Sequence, residues 1–192
     1  MNILVYIIGI CGRSCSGKSM IAKRFEAEHS NIAVRICQDR FFKVYADNWE
    51  APEALNNYNL IYSLKKLRRG LSTHIPSAGW TEVYDRLIEP KPLIIVEGYL
   101  LFENDEIVDL LDKKIYVDVN DVNLLYRRTK RDGTSAHIDY TMYNVIPESK
   151  RFEERQKRIA DIIIDGNKDK NAVYNDFYRY LNPLMNSSRI IK

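Results

Sequence analysis

Apolar residues along this chain fall into two alternating patterns: short solid runs, and stripes spaced three or four apart. Asn2 to Ile10 is nearly all apolar and rich in β-branched side chains. Such a run suits a strand covered on both faces of a parallel sheet. Ile32 to Cys37, Leu93 to Val96, Lys114 to Val119 and Ile162 to Ile164 read the same way. Between these runs the period becomes helical. Lys18 to His29 carries Ile21, Ala22 and Phe25 on one face; Asn56 to Arg69 carries Leu60, Ile61, Leu64 and Leu67, with Gly70 placed to stop it. Val122 to Arg131, Glu148 to Ala160 and Asn171 to Leu181 supply further helices. Alternation of strand and helix implies right-handed crossovers, so the expected class is α/β, a mostly parallel five-stranded sheet with helices on both faces. Leu71 to Pro90, with Pro76, Gly79 and Pro90, fits neither period and is expected as a lobe or hairpin over the sheet edge. The basic stretch Arg127 to Arg131 and the polar run behind it are expected to be mobile.

Size and charge narrow the picture. At 192 residues, without repeat or linker, the chain is expected to be one domain over 1–192. Lys and Arg total 29 against 26 Asp and Glu, a net charge of +3, too weak and too mixed for a nucleic-acid or membrane partner. No apolar run approaches the roughly 20 residues of a membrane helix, and Ile3 to Ile8 is too short and lacks the basic leader of a signal peptide. Cys11, Cys15 and Cys37 are odd in number and lack metal-ligand spacing, which argues against disulfides or zinc and for a reducing cytoplasm.

Chemistry first shows at Gly12-Arg13-Ser14-Cys15-Ser16-Gly17-Lys18-Ser19, which fits G-x-x-x-x-G-K-[ST] in full between a strand and an amphipathic helix. The glycines let backbone N–H groups from Gly12 through Met20 turn inward, and these groups with the helix N-terminus hold a polyphosphate. Lys18 supplies a point charge for the β- and γ-phosphates, and the Ser19 hydroxyl is a hard ligand for Mg²⁺. A nucleoside triphosphate site follows, but not what it serves. Asn167-Lys168-Asp169-Lys170 resembles a base-reading Asn-Lys-x-Asp only superficially, its Asp one place early. Motors and transporter ATPases are usually longer. A small-molecule kinase fits the length.

Two acidic residues lie where ligands gather, outside the carboxyl ends of the strands. Asp39 follows the second strand in Gln38-Asp39-Arg40-Phe41-Phe42. An ordinary Asp is ionised at pH 7, so it can take a proton from an attacking hydroxyl or hold Mg²⁺; otherwise it caps a helix. Glu97 ends the apolar run through Val96 and resembles a carboxylate that orients Mg²⁺ through water; otherwise it is a solvated strand end.

These blocks together resemble the uridine kinase family and its relatives the nicotinamide riboside kinases. The resemblance rests on Ile7-Ile8-Gly9 through Ser19, on Gln38 to Phe42, and on Val96-Glu97-Gly98-Tyr99-Leu100-Leu101-Phe102. Asn48-Trp49-Glu50-Ala51-Pro52-Glu53-Ala54-Leu55 is similar to the family's Asn-Phe-Asp-His-Pro-Asp-Ala-Phe, and Arg127-Arg128-Thr129-Lys130-Arg131-Asp132 to its lid, placed at about 127–145. Pro147, Phe152, Lys157 and Ala160 to Ile164 match the helix and strand that follow. The resemblance implies a P-loop kinase fold and transfer of phosphate from ATP, with Mg²⁺, to the 5′-hydroxyl of a ribonucleoside. By the same resemblance Asp39 is the general base, Glu50 grips the ribose hydroxyls, Trp49 lines the nucleoside pocket, Arg128 lies near the acceptor and Arg131 near the transferred phosphate. Arg128 and Arg131 share a helical face, as a closing lid requires; alone they would read as a solvated basic face. The chain departs from the family at three places. Glu50 replaces Asp, Ala136 stands where an Arg is common, and Ala78, Gly79 and Val83 stand where the base-reading hairpin carries Tyr, Asp and His. Tyr84-Asp85 fits that hairpin only with a shift. A phosphorylated sugar or pantothenate as acceptor, a regulator without turnover, and a homo-oligomer remain open at this stage.

Overall fold

The computed structural model describes residues 4–133 and 135–186, so Asn2 and Ile3 of the first predicted strand and Thr134 of the predicted lid lie outside the described residues. In chain order the elements are β1 (Tyr6–Cys11), α1 (Lys18–Glu28), β2 (Ala33–Cys37), α2 (Asn57–Arg68), β3 (Thr73–Ile75), β4 (Arg86–Ile88), β5 (Leu93–Gly98), α3 (Asp105–Asp109), β6 (Lys113–Asp118), α4 (Asp121–Asp132), α5 (Ser135–Tyr140), α6 (Ile146–Ile159), β7 (Ile162–Asp165) and α7 (Lys170–Met185).

Five strands form one sheet in the order β2-β5-β1-β6-β7, every neighbouring pair parallel. Successive side chains of a strand point to opposite faces, and the core divides accordingly. Ile7, Val34, Ile36, Ile94, Val96 and Tyr116 pack with Leu60, Leu64 and Leu67 of α2 and Ile107 of α3. Ile8, Ile10, Ala33, Ile95, Ile115 and Val117 pack with Ile21, Ala22 and Phe25 of α1 and Val173, Phe177 and Leu181 of α7. Covering on both faces is why the strands read as solid apolar runs. Among the described residues, no helix is long and apolar enough to cross a membrane.

The segment without a clear period is an antiparallel hairpin, β3 with β4, which pairs Thr73 with Ile88 and Ile75 with Arg86. Ile75 and Ile88 sink into the core, and the ten residues between the strands reach toward the ligand end of the sheet. The polar stretch after Arg131, expected as mobile, is helical: α5 runs through a π-helical turn at Thr141–Val145 into α6. Thr141 and Val145 are buried, and Thr141 Oγ1 donates to His137 O at 2.7 Å, so the wide turn is anchored from inside.

Candidate active site

The phosphate loop curls between β1 and α1 because two glycines permit it. A Cβ on Gly12 would meet Val117 O at 2.4 Å, and Gly17 precedes α1 at φ +111, which side chains rarely adopt. Cys15 takes φ +59 without being glycine, a strained conformation of the kind held at ligand clamps. Lys18 is buried and folds back over the loop, donating from Nζ to Arg13 O at 3.3 Å. Arg127 braces the loop from α4: its Nη1 donates to Cys15 O at 3.2 Å and to Gly166 O at 2.8 Å. Arg128 Nη1 donates to Ser14 Oγ at 3.0 Å.

Arg13 is set apart from the rest of its motif. Its buried guanidinium donates to Ser149 Oγ at 2.9 Å and pairs with Asp121 Oδ1 at 2.8 Å, away from the cavity. Only its backbone is left for phosphate; the side chain ties the loop to α4 and α6.

The sequence grouped Ser19, Asp39 and Glu97 as metal residues, and in the structure only the first two reach the cavity. Ser19 and Asp39 line the cavity, whereas Glu97 is fully buried behind Ser19, accepting from Ser19 Oγ at 2.8 Å on Oε2 and from Arg35 Nη1 at 2.8 Å on Oε1. Asp39 lies in a 3₁₀ turn, Gln38–Phe41, that follows β2 directly. Its carboxylate is exposed within a concave cleft whose walls strip part of its hydration. That desolvation pushes its pKa above the ordinary 3.8, and Lys18 is the largest influence pulling it back.

One cavity of about 1080 Å³ is lined by the phosphate loop, α4 and α5 on one side and by Asp39, Trp49 and Glu50 on the other. Glu50 is 9% exposed, and burial raises its pKa above 4.5, opposed first by Arg128 and then by a hydrogen bond from Tyr140. Tyr140 Oη donates to Glu50 Oε1 at 3.1 Å. The Tyr140 ring also lies 5.9 Å from the Arg128 guanidinium. Arg131, by contrast, lines the cavity while bound to its neighbour Asp132 at 2.7 and 3.0 Å.

The sequence did not single out several cavity residues. Trp80, from the β3–β4 loop, lies parallel to Phe42 with centroids 5.4 Å apart, and Trp49 meets both rings edge-on at 6.0 and 6.2 Å. Trp80 N donates to Phe42 O at 3.1 Å, and a Cβ on Gly79 would meet Asp39 O at 2.5 Å, so the loop is seated on the Asp39 turn. Tyr84 does not replace the missing hairpin tyrosine: its hydroxyl accepts from Asn59 Nδ2 outside the main cavity. Tyr99, Tyr126, Lys130 and Lys170 also line the cavity. No pattern in the sequence marks Trp80, which reaches the site from the irregular β3–β4 loop, or Tyr140, which ends the six-residue helix α5, too short to show a period. The Asn-Lys-Asp run is spent on structure: Asn167 Oδ1 accepts from Asn120 N and Asn123 Nδ2, Lys168 pairs with Asp176, and Asp169 caps α7.

Residues 38–173 match the Phosphoribulokinase / Uridine kinase family. The chain belongs to this family. A uridine kinase of Chlamydia pneumoniae is 32% identical over 197 aligned positions, which span 91% of this chain and 88% of that protein. One from Staphylococcus carnosus is 36% identical over 190 positions, 87% and 90% of the two chains. The fold is shared with a possible uridine kinase from Bacillus stearothermophilus, at TM-score 0.61 and 17% identity over 84% of this chain and 89% of that one. Shikimate kinase from Acinetobacter baumannii superposes at TM-score 0.56 and 11% identity over 97% and 96%. This member of the phosphoribulokinase/uridine kinase family is a P-loop kinase, an ATP-dependent phosphotransferase, which confirms the class that the motif and the resemblance implied.

Proposed function

We propose that the protein transfers the γ-phosphoryl group of ATP to the 5′-hydroxyl of a ribonucleoside: uridine, cytidine or nicotinamide riboside. The observation that carries this reading is a single cavity holding Lys18 and the phosphate loop opposite Asp39, Glu50 and three aromatic rings. The donor's phosphates sit on the loop's N–H groups under Lys18. The acceptor's sugar lies against Glu50, whose oxygens accept from ribose hydroxyls, and its base lies among Trp49, Phe42 and Trp80. Asp39 takes the proton of the 5′-hydroxyl as the new P–O bond forms and the γ-phosphate's bond to ADP breaks. Such a transfer asks mainly for in-line placement and charge neutralisation. Arg128 and Arg131 supply positive charge from the lid side and, with Tyr140, exclude water.

Mg²⁺ fits the donor set. The Ser19 hydroxyl and the Asp39 carboxylate are hard oxygens facing one cavity, and few protein ligands suit an ion that keeps several waters and shares substrate phosphates. When bound, it would neutralise charge on the phosphate oxygens.

The three rings carry no hydrogen-bonding carboxylate or amide at the place of the family's base-reading Tyr, Asp and His. Stacking therefore contributes more to base recognition here than edge reading, and stacking tolerates many bases. A coupled assay of ADP release across uridine, cytidine, adenosine, guanosine and nicotinamide riboside tests the reading. Acceptor-dependent release with at least one ribonucleoside is expected; release with none of them overturns it.

A further inference from the structure

Arg35 is out of place in its strand. The rest of β2 is apolar or thiol, and Arg35 is 9% exposed in the middle of it. A buried charge is costly unless paired and hydrogen-bonded. Arg35 is paired at two ends. Its backbone N–H donates to Glu26 Oε1 at 2.8 Å, with Nε 3.8 Å from Glu26 Oε2, and its Nη1 donates to Glu97 Oε1 at 2.8 Å.

The pairing follows from register. Arg35 lies opposite Ile95 and Cys37 opposite Glu97, so Arg35 and Glu97 are diagonal neighbours on one face of adjacent strands, within reach of a long side chain. That is the face on which α1 packs, and α1 carries both Glu26 and, seven residues earlier, Ser19. Two turns of helix put those residues on the same side. Arg35 therefore bridges the last turn of α1, through Glu26, to β5, whose Glu97 in turn meets Ser19 in the first turn of α1.

The consequence reaches the cavity through two atoms. With Oε1 of Glu97 held by Arg35, Oε2 is the oxygen left to receive the Ser19 hydroxyl, at 2.8 Å. A hydroxyl has one proton and two lone pairs. Once its proton is committed to Glu97, the lone pairs of Ser19 are the part left to face the cavity, the orientation needed to ligate a cation that accompanies a triphosphate. Outer partners of this kind fix the direction of an inner ligand.

We infer that Arg35 is a positioning residue: through Glu97 it orients the Ser19 hydroxyl toward the metal-bound triphosphate. The inference rests on the kinase reading of the phosphate loop and is independent of which acceptor is used.

The rival role is a purely structural ion pair, which would weaken nucleotide binding with and without metal alike. Calorimetric titration with the non-hydrolysable analogue β,γ-imido-ATP, in Mg²⁺ and in EDTA, separates the two without any acceptor. In Arg35→Met the gain in affinity brought by Mg²⁺ should shrink by about 10- to 100-fold, the usual effect of losing an outer-shell partner. Affinity in EDTA should stay within about threefold of the parent, and Arg35→Lys, which keeps a cation, should recover part of the gain. Should Arg35→Met fail to fold, Glu97→Gln should show the same loss confined to Mg²⁺. Equal losses in Mg²⁺ and EDTA, an unchanged Mg²⁺ gain in the folded variant, or no Mg²⁺ gain in the parent would each overturn the inference. A protein that phosphorylated no nucleoside would leave this readout intact, so the two proposals fail separately.

Discussion

Tyr140 donates its hydroxyl to Glu50 Oε1 at 3.1 Å, joining α5 to the Glu50 wall of the cavity across ninety residues of sequence. The contact is one link in a line. Ser14 of the phosphate loop accepts from Arg128, the Arg128 guanidinium faces the Tyr140 ring, and Tyr140 reaches Glu50. The phosphate loop and Glu50 are thus held in one spacing by side chains of α4 and α5, the spacing that the proposed in-line transfer requires.

Replacing Tyr140 by Phe tests this line. Burial, then the charge and hydrogen bond of Glu50, push the phenol up to about 12, so Tyr140 is a donor at neutral pH. Its bond is among the influences that hold Glu50 down against desolvation. Without it the pKa of Glu50 rises further, and the acidic limb of kcat/KM for the acceptor should move to higher pH. At neutral pH the cost should be about 2- to 12-fold, the worth of one hydrogen bond of about 0.5–1.5 kcal/mol. A pH profile of Tyr140→Phe that overlays the parent's would show the bond to be incidental.

The phosphate loop was legible because its motif couples residue type to backbone shape: glycines where φ or close approach demands them, Lys18 and Ser19 at the helix start. The central strands were legible because both their faces are covered. The aromatic wall was not. Trp80 is placed by backbone contacts of Gly79 and Trp80 with the Asp39 turn, and long-range contacts of that kind leave no period in a sequence. Arg13 shows the reverse limit, since the motif assigns it to phosphate while ion pairing turns its side chain toward α4 and α6. Glu97 was recognised as acidic at a strand end, but only the pairing register reveals Arg35 behind it.

Lys18→Ala removes the buried ammonium folded over the loop. With loss of a contact to developing charge, kcat/KM should fall by roughly 3 kcal/mol or more, over a hundredfold. Steady-state kinetics on folded protein check this. Near-parental turnover would remove the loop lysine from the transfer.

Asp39→Asn keeps shape and removes charge. As general base, Asp39 should be worth about 10² in kcat, and in the protein free of metal and nucleotide burial raises its pKa. Stability should move the other way. An acid whose folded pKa exceeds its unfolded value binds protons more tightly when folded, so stability falls as pH rises through that window. At neutral pH the charge therefore opposes folding, and Asn relieves it. A slower enzyme with a higher Tm is expected; a lower Tm would show that attraction to Lys18 outweighs desolvation.

Gly79→Ala tests the seat of the aromatic wall without touching a ring. A Cβ there would come within 2.5 Å of Asp39 O, a backbone atom that cannot swing aside. Either the loop carrying Trp80 lifts or the Asp39 turn shifts. An ångström at the reacting groups can cost about a hundredfold, so acceptor kcat/KM should drop while affinity for the triphosphate, held at the other end of the cavity, stays level. Equal losses for both ligands would mean a general loosening of the fold.

Glu50 separates ribose from deoxyribose if it holds the sugar. Tyr140 occupies one of its oxygens, and Oε2 keeps open lone pairs; Oε1 can accept a second bond as well. A buried carboxylate that loses a hydroxyl partner is left partly unsatisfied, and sites built around such a bond reject the analogue lacking it. Ribonucleosides should therefore exceed 2′-deoxyribonucleosides by well over about tenfold in kcat/KM, since charge-assisted bonds exceed neutral ones. Glu50→Gln should erode that ratio and leave triphosphate affinity nearly unchanged, the phosphate loop being a separate wall of the cavity. The competing role is an acidic residue favouring the turn that begins at Pro52; it predicts a lower Tm in Glu50→Gln with the ratio intact. Desolvation raises the pKa of Glu50, so removing its charge should if anything raise Tm, and the two roles give opposite signs. Matched kinetics on ribo- and deoxyribonucleosides, read beside a thermal melt, decide between them, and equal efficiency on both sugars in the parent enzyme would end the ribose assignment.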